Sequence, residues 1–243
     1  MQLRPQLPPG DLCGRLVAGL AQRAGLIMCN LYNQTTAAEA MRDLFNPRQW
    51  RNRAGNLPPD EIYPDRLAPV IRIDSGVLVL ERARWGLPSP AIHLSPSGLD
   101  RGVTNVRNTG SAHWRQWLGP AHRCLVPFDA FAEPYPGKGA GNAWFRLAEG
   151  NGFFAGIRVP GWTSIRKVKD GPTTDDLFAF LTCPPSAEVA AIHPKAMPVI
   201  LTAIEDWRAW LTADWNDAQR LQRPLPDGAL QLISNPNAGS LPG

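Results

Sequence analysis

Apolar residues in this chain come in short, strand-length runs, each stopped by a turn signal, and that punctuation narrows the folds open to it. Residues 68–73 and 77–85 flank Asp74-Ser75-Gly76 and predict a β-hairpin. Residues 123–131 read as one strand, and 143–147 with 153–157 as a second hairpin around Glu149-Gly150-Asn151-Gly152. Residues 177–182 read as a buried strand and 198–201 as a further one. Helical pattern is scarcer. Thr36-x-x-Glu39 has the form of a capping box before a helix over 37–45, with Ala40, Met41, Leu44 and Phe45 on one face. Thr202-x-x-Glu205 opens a second helix through Trp207, Trp210 and Leu211, and residues 186–192 predict a short one. Residues 46–69, crowded with proline, arginine and asparagine, and 86–102, heavy in proline and serine, are expected as surface excursions. Strands and helices do not alternate as βαβ units. The expected class is therefore α+β: a single domain with a mixed curled sheet or β-barrel-like core and short peripheral helices.

Composition removes several function classes. With 243 residues, 44% hydrophobic and 19% charged, the chain is ordinary for a soluble globular protein, and no apolar run approaches the roughly 18 to 20 residues needed to span a bilayer. Residues 1–27 are rich in proline, glycine and arginine, with only a weak helical pattern over 12–20. The apolar stretch 16–20 is too short for a signal sequence and runs into Gln22 and Arg23. The expected division is a disordered leader over 1–27, non-native or cleaved, a single folded domain over 28–234 and a flexible tail over 235–243. Cys13, Cys29, Cys124 and Cys183 are scattered without a C-x-x-C pair, which argues against a zinc site and a disulfide framework. A cytoplasmic monomer with no metal, no cofactor and no membrane contact is expected. P-loop, dinucleotide-binding and zincin motifs are absent. The net charge of +4 mildly favours a polyanionic partner. Among 25 basic residues only Lys138, Lys167, Lys169 and Lys195 are lysines; the arginine fork suits phosphates, although codon usage produces the same skew.

The pair Met28-Cys29 carries the most distinctive chemistry. If translation starts at Met28 and the methionine is removed, Cys29 holds a free amine and a free thiol on adjacent carbons. The amine condenses with an aldehyde to an imine and the thiol closes a five-membered thiazolidine, so one residue captures an aldehyde covalently. An unperturbed α-amine titrates near 7.7 to 8.0 and a thiol near 8.5, so both need a neighbouring base at neutral pH. Further candidates stand where strands end: Asn105 and Arg107, Glu133 in Phe131-Ala132-Glu133-Pro134, and His193 in Ala191-Ile192-His193-Pro194. Taken singly, each is an ordinary turn, cap or surface residue.

Taken in order they are more specific. Met28-Cys29, Arg84-Trp85-Gly86-Leu87, Asn105-Val106-Arg107, Arg123-Cys124-Leu125-Val126-Pro127 running to Glu133, and Ile192-His193-Pro194-Lys195-Ala196-Met197-Pro198 together resemble the SOS-response-associated peptidase family, the abasic-site shield proteins. The resemblance spans residues 28–234. It implies a protein that binds single-stranded DNA and crosslinks itself to abasic sites through a thiazolidine on Cys29. It also implies roles: Asn105 positions the cysteine and the sugar, Arg107 holds backbone phosphate, Glu133 shuttles protons, and His193 assists opening of the sugar ring. An associated lyase activity by β-elimination from the imine, and self-cleavage before Cys29, are further implications. The chain departs from the family pattern at Asn30, at Asn108-Thr109-Gly110 and at Pro134.

Single-strand binding also needs cations along the backbone and flat faces for stacking. Arg51, Arg53 and Arg84, with Trp50 and Trp85 nearby, are candidates among nine tryptophans; Trp207 and Trp210, at helical spacing, are expected in the core. Two other readings remain open at this point: a thiol peptidase pairing Cys29 with His193, and a non-covalent single-strand-binding module with Cys29 merely buried.

Overall fold

The protein is described by a computed structural model over residues 29–136 and 141–234. Its strands, in chain order, are β1 (Leu31–Gln34), β2 (Trp50–Asn52), β3 (Asp60–Ile62), β4 (Leu67–Asp74), β5 (Val77–Trp85), β6 (Asn105–Val106) and β7 (Arg123–Pro127). They continue as β8 (Ala130–Pro134), β9 (Asn142–Leu147), β10 (Phe153–Lys167), β11 (Gly171–Cys183), β12 (Met197–Pro198), β13 (Ile200–Leu201) and β14 (Leu230–Ile233).

Five of them close a barrel. β4 and β5 form the expected hairpin, with Asp74 opposite Val77; Ser75 at φ 51° and Gly76 at φ 81° give the two left-handed residues that a tight hairpin turn requires. β4 meets β7 at Ile71 and Leu125, β7 lies on β10, and β10 pairs antiparallel with β11. β11 returns to β5 in parallel, Leu177 to Arg84 and Phe178 to Trp85, so the ring has no free edge. A second, antiparallel sheet runs β14-β9-β8-β1-β3. Aromatic side chains join the two: Tyr32 of β1 meets the edges of Trp85, Phe154 and Phe180, and Phe128 stacks on Phe154 with centroids 4.0 Å apart. Each such side chain, fully buried, contributes roughly 1.5–3 kcal/mol. The α+β class with a barrel core and short helices is thus the observed one.

Several expectations change in detail. The apolar run 123–131 is two strands, because the chain leaves the barrel after Pro127 and enters the second sheet at Ala130. Asp129 holds the corner: its backbone N–H donates to Asn33 O at 3.0 Å and its carboxylate accepts from the Thr35 and Thr36 hydroxyls at 2.9 and 2.8 Å. That use of Thr36 also dissolves the first capping box. The helix spans Ala38–Phe45 with Ala37 at its N-cap and no side-chain cap, and it buries Ala38, Met41 and Phe45 while Ala40 is exposed. The helix Ile204–Thr212 likewise starts at Ala203 without a side-chain cap, and buries Trp207 and Trp210 as expected. Residues 143–157 are not a hairpin, since β9 lies in the second sheet and β10 in the barrel. β10 instead runs on to Lys167 and pairs back through β11, with a register shift between Val159 and Trp162 that takes in Pro160-Gly161. The excursion 46–69 contains β2 and β3. The leader 1–27, its weak helical pattern and the tail 235–243 lie outside the described residues. No helix among the described residues is long and apolar enough to cross a membrane.

Candidate functional site

Four short pieces meet near the C-terminal end of β11. β6 lies parallel to it at Phe180 and Leu181, and β12 pairs antiparallel at Thr182 and Cys183. β1 and β8 run side by side with Leu31 opposite Ala132, which sets Glu133 beside the chain just before β1.

Strand alternation puts Phe131 and Glu133 on one face of β8, and that face is turned into the core. Glu133 is 0% exposed, and neither carboxyl oxygen has a hydrogen-bond partner of normal geometry. Burial therefore pushes its pKa well above the usual carboxylate range, against a smaller downward pull from the backbone nitrogen of Cys29. His193 Nδ1 stands 3.5 Å from Glu133 Oε2 and 3.0 Å from the carbonyl of Ala196. A carbonyl only accepts, so a proton on Nδ1 makes that bond, and the neutral ring then keeps Nε2 as its basic nitrogen.

Cys29 is 1% exposed and its thiol points to Leu31 O at 3.7 Å. Burial, and then the charge of Glu133, push the thiol pKa well above its ordinary value. Asn105 donates from Nδ2 to Cys29 O and to Thr104 Oγ1, both at 2.9 Å, while its Oδ1 is buried without a partner. Arg107 donates from Nη1 to Lys195 O at 2.7 Å, in the segment that carries His193. The structure thus links Cys29, Asn105, Glu133 and His193 in one group, with Arg107 bonded to the segment that carries His193. A protonated thiol, a carboxyl reluctant to ionise and an imidazole make a group suited to moving protons between a nucleophile and a carbonyl substrate. Among the described residues no cluster of three or more His, Cys, Asp or Glu side chains could hold a metal ion.

The other candidates stand apart. Trp85 was expected beside DNA but is 1% exposed and enclosed by Tyr32, Phe178 and Phe180, so it offers no face to a base. Its indole N–H donates to Thr104 O at 3.0 Å and so braces the residue before Asn105. Arg84 is tied to Asp65 O at 2.7 Å and Asp175 Oδ1 at 3.1 Å, which neutralises the charge expected to meet phosphate. Arg53 is 44% exposed and faces Asp74 and Glu81 at 3.6 and 4.0 Å. Two residues near the group carried no motif. Tyr32 is buried with its hydroxyl unpartnered, and Gln222 bonds the backbone of Arg107 from 115 positions away in sequence. A cavity of about 530 Å³, lined in part by Asn33, Asp129, Arg146 and Glu149, includes none of the Cys29 group.

Comparison with known proteins identifies a family and a fold. The family model described as SOS response associated peptidase matches residues 28–235. No curated protein matches the sequence. Among solved structures, a protein from Bordetella bronchiseptica is 22% identical with a TM-score of 0.64, the match covering 85% of this chain and 100% of that one. A protein from Bacteroides thetaiotaomicron is 18% identical with a TM-score of 0.64, over 85% of this chain and 93% of that one. At these identities the two structures speak for the fold alone.

Proposed function

The chain belongs to the SOS response associated peptidase family, and from that membership we propose that it binds single-stranded DNA and captures abasic sites as a thiazolidine on Cys29. The observation that carries the reading is Glu133, buried without a hydrogen bond of normal geometry, beside the backbone nitrogen of Cys29. When Cys29 begins the chain, that nitrogen is a free amine. Glu133 takes its proton, and the amine attacks the sugar aldehyde carbon. The resulting carbinolamine loses its hydroxyl as water with a proton returned from Glu133, leaving an imine. The Cys29 sulfur then adds to the imine carbon and its proton passes to the nitrogen, closing the ring; one water is released overall. His193 Nε2 takes the proton of the anomeric hydroxyl and returns it to the ring oxygen, which opens the closed sugar to its aldehyde, Asn105 fixes the Cys29 carbonyl, and Arg107 holds an adjacent phosphate. Left unclosed, the imine would promote strand cleavage by β-elimination; ring closure removes it.

The family name denotes a peptidase, and cleavage before Cys29 would serve the same chemistry by releasing the amine. A thiolate–imidazole pair for general proteolysis is less well supported. The thiol points to Leu31 O and has a raised pKa, while the His193 ring is held by Ala196 and Glu133. The test is to incubate protein with Cys29 as first residue with a single strand bearing one abasic site and to run a denaturing gel. A stable adduct that disappears in Cys29→Ala is expected; no adduct, or one that survives the substitution, overturns the proposal.

A further inference from the structure

Arg107 stands one residue beyond β6, whose pairing with β11 ends at Val106 opposite Leu181. Sheet hydrogen bonds no longer hold the backbone there, yet the Arg107 guanidinium keeps a defined contact with Lys195 O. Gln222, directly after the short turn Gln219–Leu221, holds the strand end in place. Its Nε2 donates to Arg107 O at 2.8 Å and to Thr182 O at 2.9 Å, and its Oε1 accepts from the Thr109 hydroxyl at 3.0 Å. One amide therefore joins the strand end that carries Arg107 to β11. Only this orientation satisfies it, because the flipped amide would set its oxygen against two carbonyls.

We infer that Gln222 is a positioning residue, a clamp that fixes Arg107 for contact with a DNA phosphate; the inference rests on the single-strand-binding reading above. Holding an otherwise loose arginine in place spares the ordering cost that binding would incur. Glutamate cannot replace it, since a carboxylate would face both carbonyls without a donor.

The test measures affinity for an undamaged single-stranded oligonucleotide at fixed salt, on the whole chain and on the chain with Cys29 first. Gln222→Ala and Gln222→Glu are each expected to weaken binding roughly tenfold, the effect of losing about one net hydrogen bond's worth of positioning. Thr109→Val should weaken it less, and Thr109→Ser should restore wild-type affinity. In an Arg107→Ala background Gln222→Ala should add no further loss, because its effect runs through Arg107. A merely structural role would cost affinity in both backgrounds. With abasic DNA, Gln222→Ala should raise the DNA concentration giving half-maximal crosslinking and leave the maximal rate unchanged. Wild-type affinity in Gln222→Ala, or an undiminished loss on top of Arg107→Ala, overturns the clamp; should Gln222→Ala fail to fold, the Thr109 pair decides. A wild-type chain that binds single strands without forming an adduct sinks covalent capture and leaves the clamp to these affinities. One that binds no single strand overturns the clamp as well.

Discussion

Burial withholds from Glu133 the water that ordinarily stabilises a carboxylate, and no donor of normal geometry replaces it. Its raised pKa follows, and the sign of the consequence for stability can be worked out. In the unfolded chain the carboxyl ionises near the ordinary value of 4.5; in the folded protein it holds its proton to higher pH. Folding is therefore penalised as pH rises from the unfolded pKa through the folded one, and the penalty is full above both. Glu133→Gln should raise the melting temperature at pH 8, and the gain should shrink as pH falls toward 4.5. A gain that grows on acidification would contradict the assignment. The same substitution should slow crosslinking while leaving DNA affinity unchanged, and equal rates would remove the proton-shuttle role. Arg107→Ala tests the neighbouring claim: it should weaken single-strand binding and leave the melting temperature within about 0.5 kcal/mol of wild type.

Among the elements, β7 and β10 leave no room for a side chain where Gly156 faces Cys124. A methyl at Gly156 would lie 2.8 Å from Cys124 Sγ and 3.0 Å from Val126 Cγ2, and Trp210 donates to the carbonyls of both Cys124 and Gly156. Gly156→Ala should therefore destabilise by about 1–3 kcal/mol, measured by chemical denaturation, and an unchanged midpoint would mean the strands part freely. Nothing in the sequence singled out Gly156, because the constraint comes from a strand about thirty residues away in the chain. Local signals did reveal the β4–β5 hairpin, whose Ser75-Gly76 turn needs no tertiary partner. They failed where distant groups competed for the same atoms. Thr36 has the sequence of a cap, but Asp129 takes its hydroxyl; residues 123–131 look continuous, but the sheet they belong to changes at Asp129. The strand expected over 153–157 runs on to Lys167, because the long pairing with β11 carries the chain past Pro160-Gly161 as an irregularity.

At the scale of the whole molecule, a charged network crosses the barrel. Glu81 of β5 accepts from Arg72 of β4 at 2.7 Å and forms an ion pair with Arg158 of β10 at 3.0 Å, and Arg158 donates to Asp176 of β11 at 3.2 Å. Glu81→Gln leaves two largely buried guanidiniums without their shared carboxylate and should cost about 3 kcal/mol, read as a fall in melting temperature; no fall would show the network to be dispensable. This network was invisible in the sequence, as was Gln222, because neither follows a local spacing. The five residues of the site were legible for a different reason: each sits in a short motif whose order along the chain resembles a family, although the strands that bring them together were only partly foreseen. Trp85 and Arg84 share such a motif and were misread as DNA contacts, since sequence adjacency does not distinguish a core-facing ring or a paired guanidinium from an exposed one. The central claim concerns a single ring of atoms at Cys29, and peptide mapping of the purified protein–DNA adduct tests it most directly. The predicted result is a Cys29 peptide carrying the sugar remnant with the loss of one water, its thiol unreactive toward an alkylating agent under denaturing conditions. An adduct whose Cys29 thiol alkylates freely, or one attached to a lysine, would contradict the account.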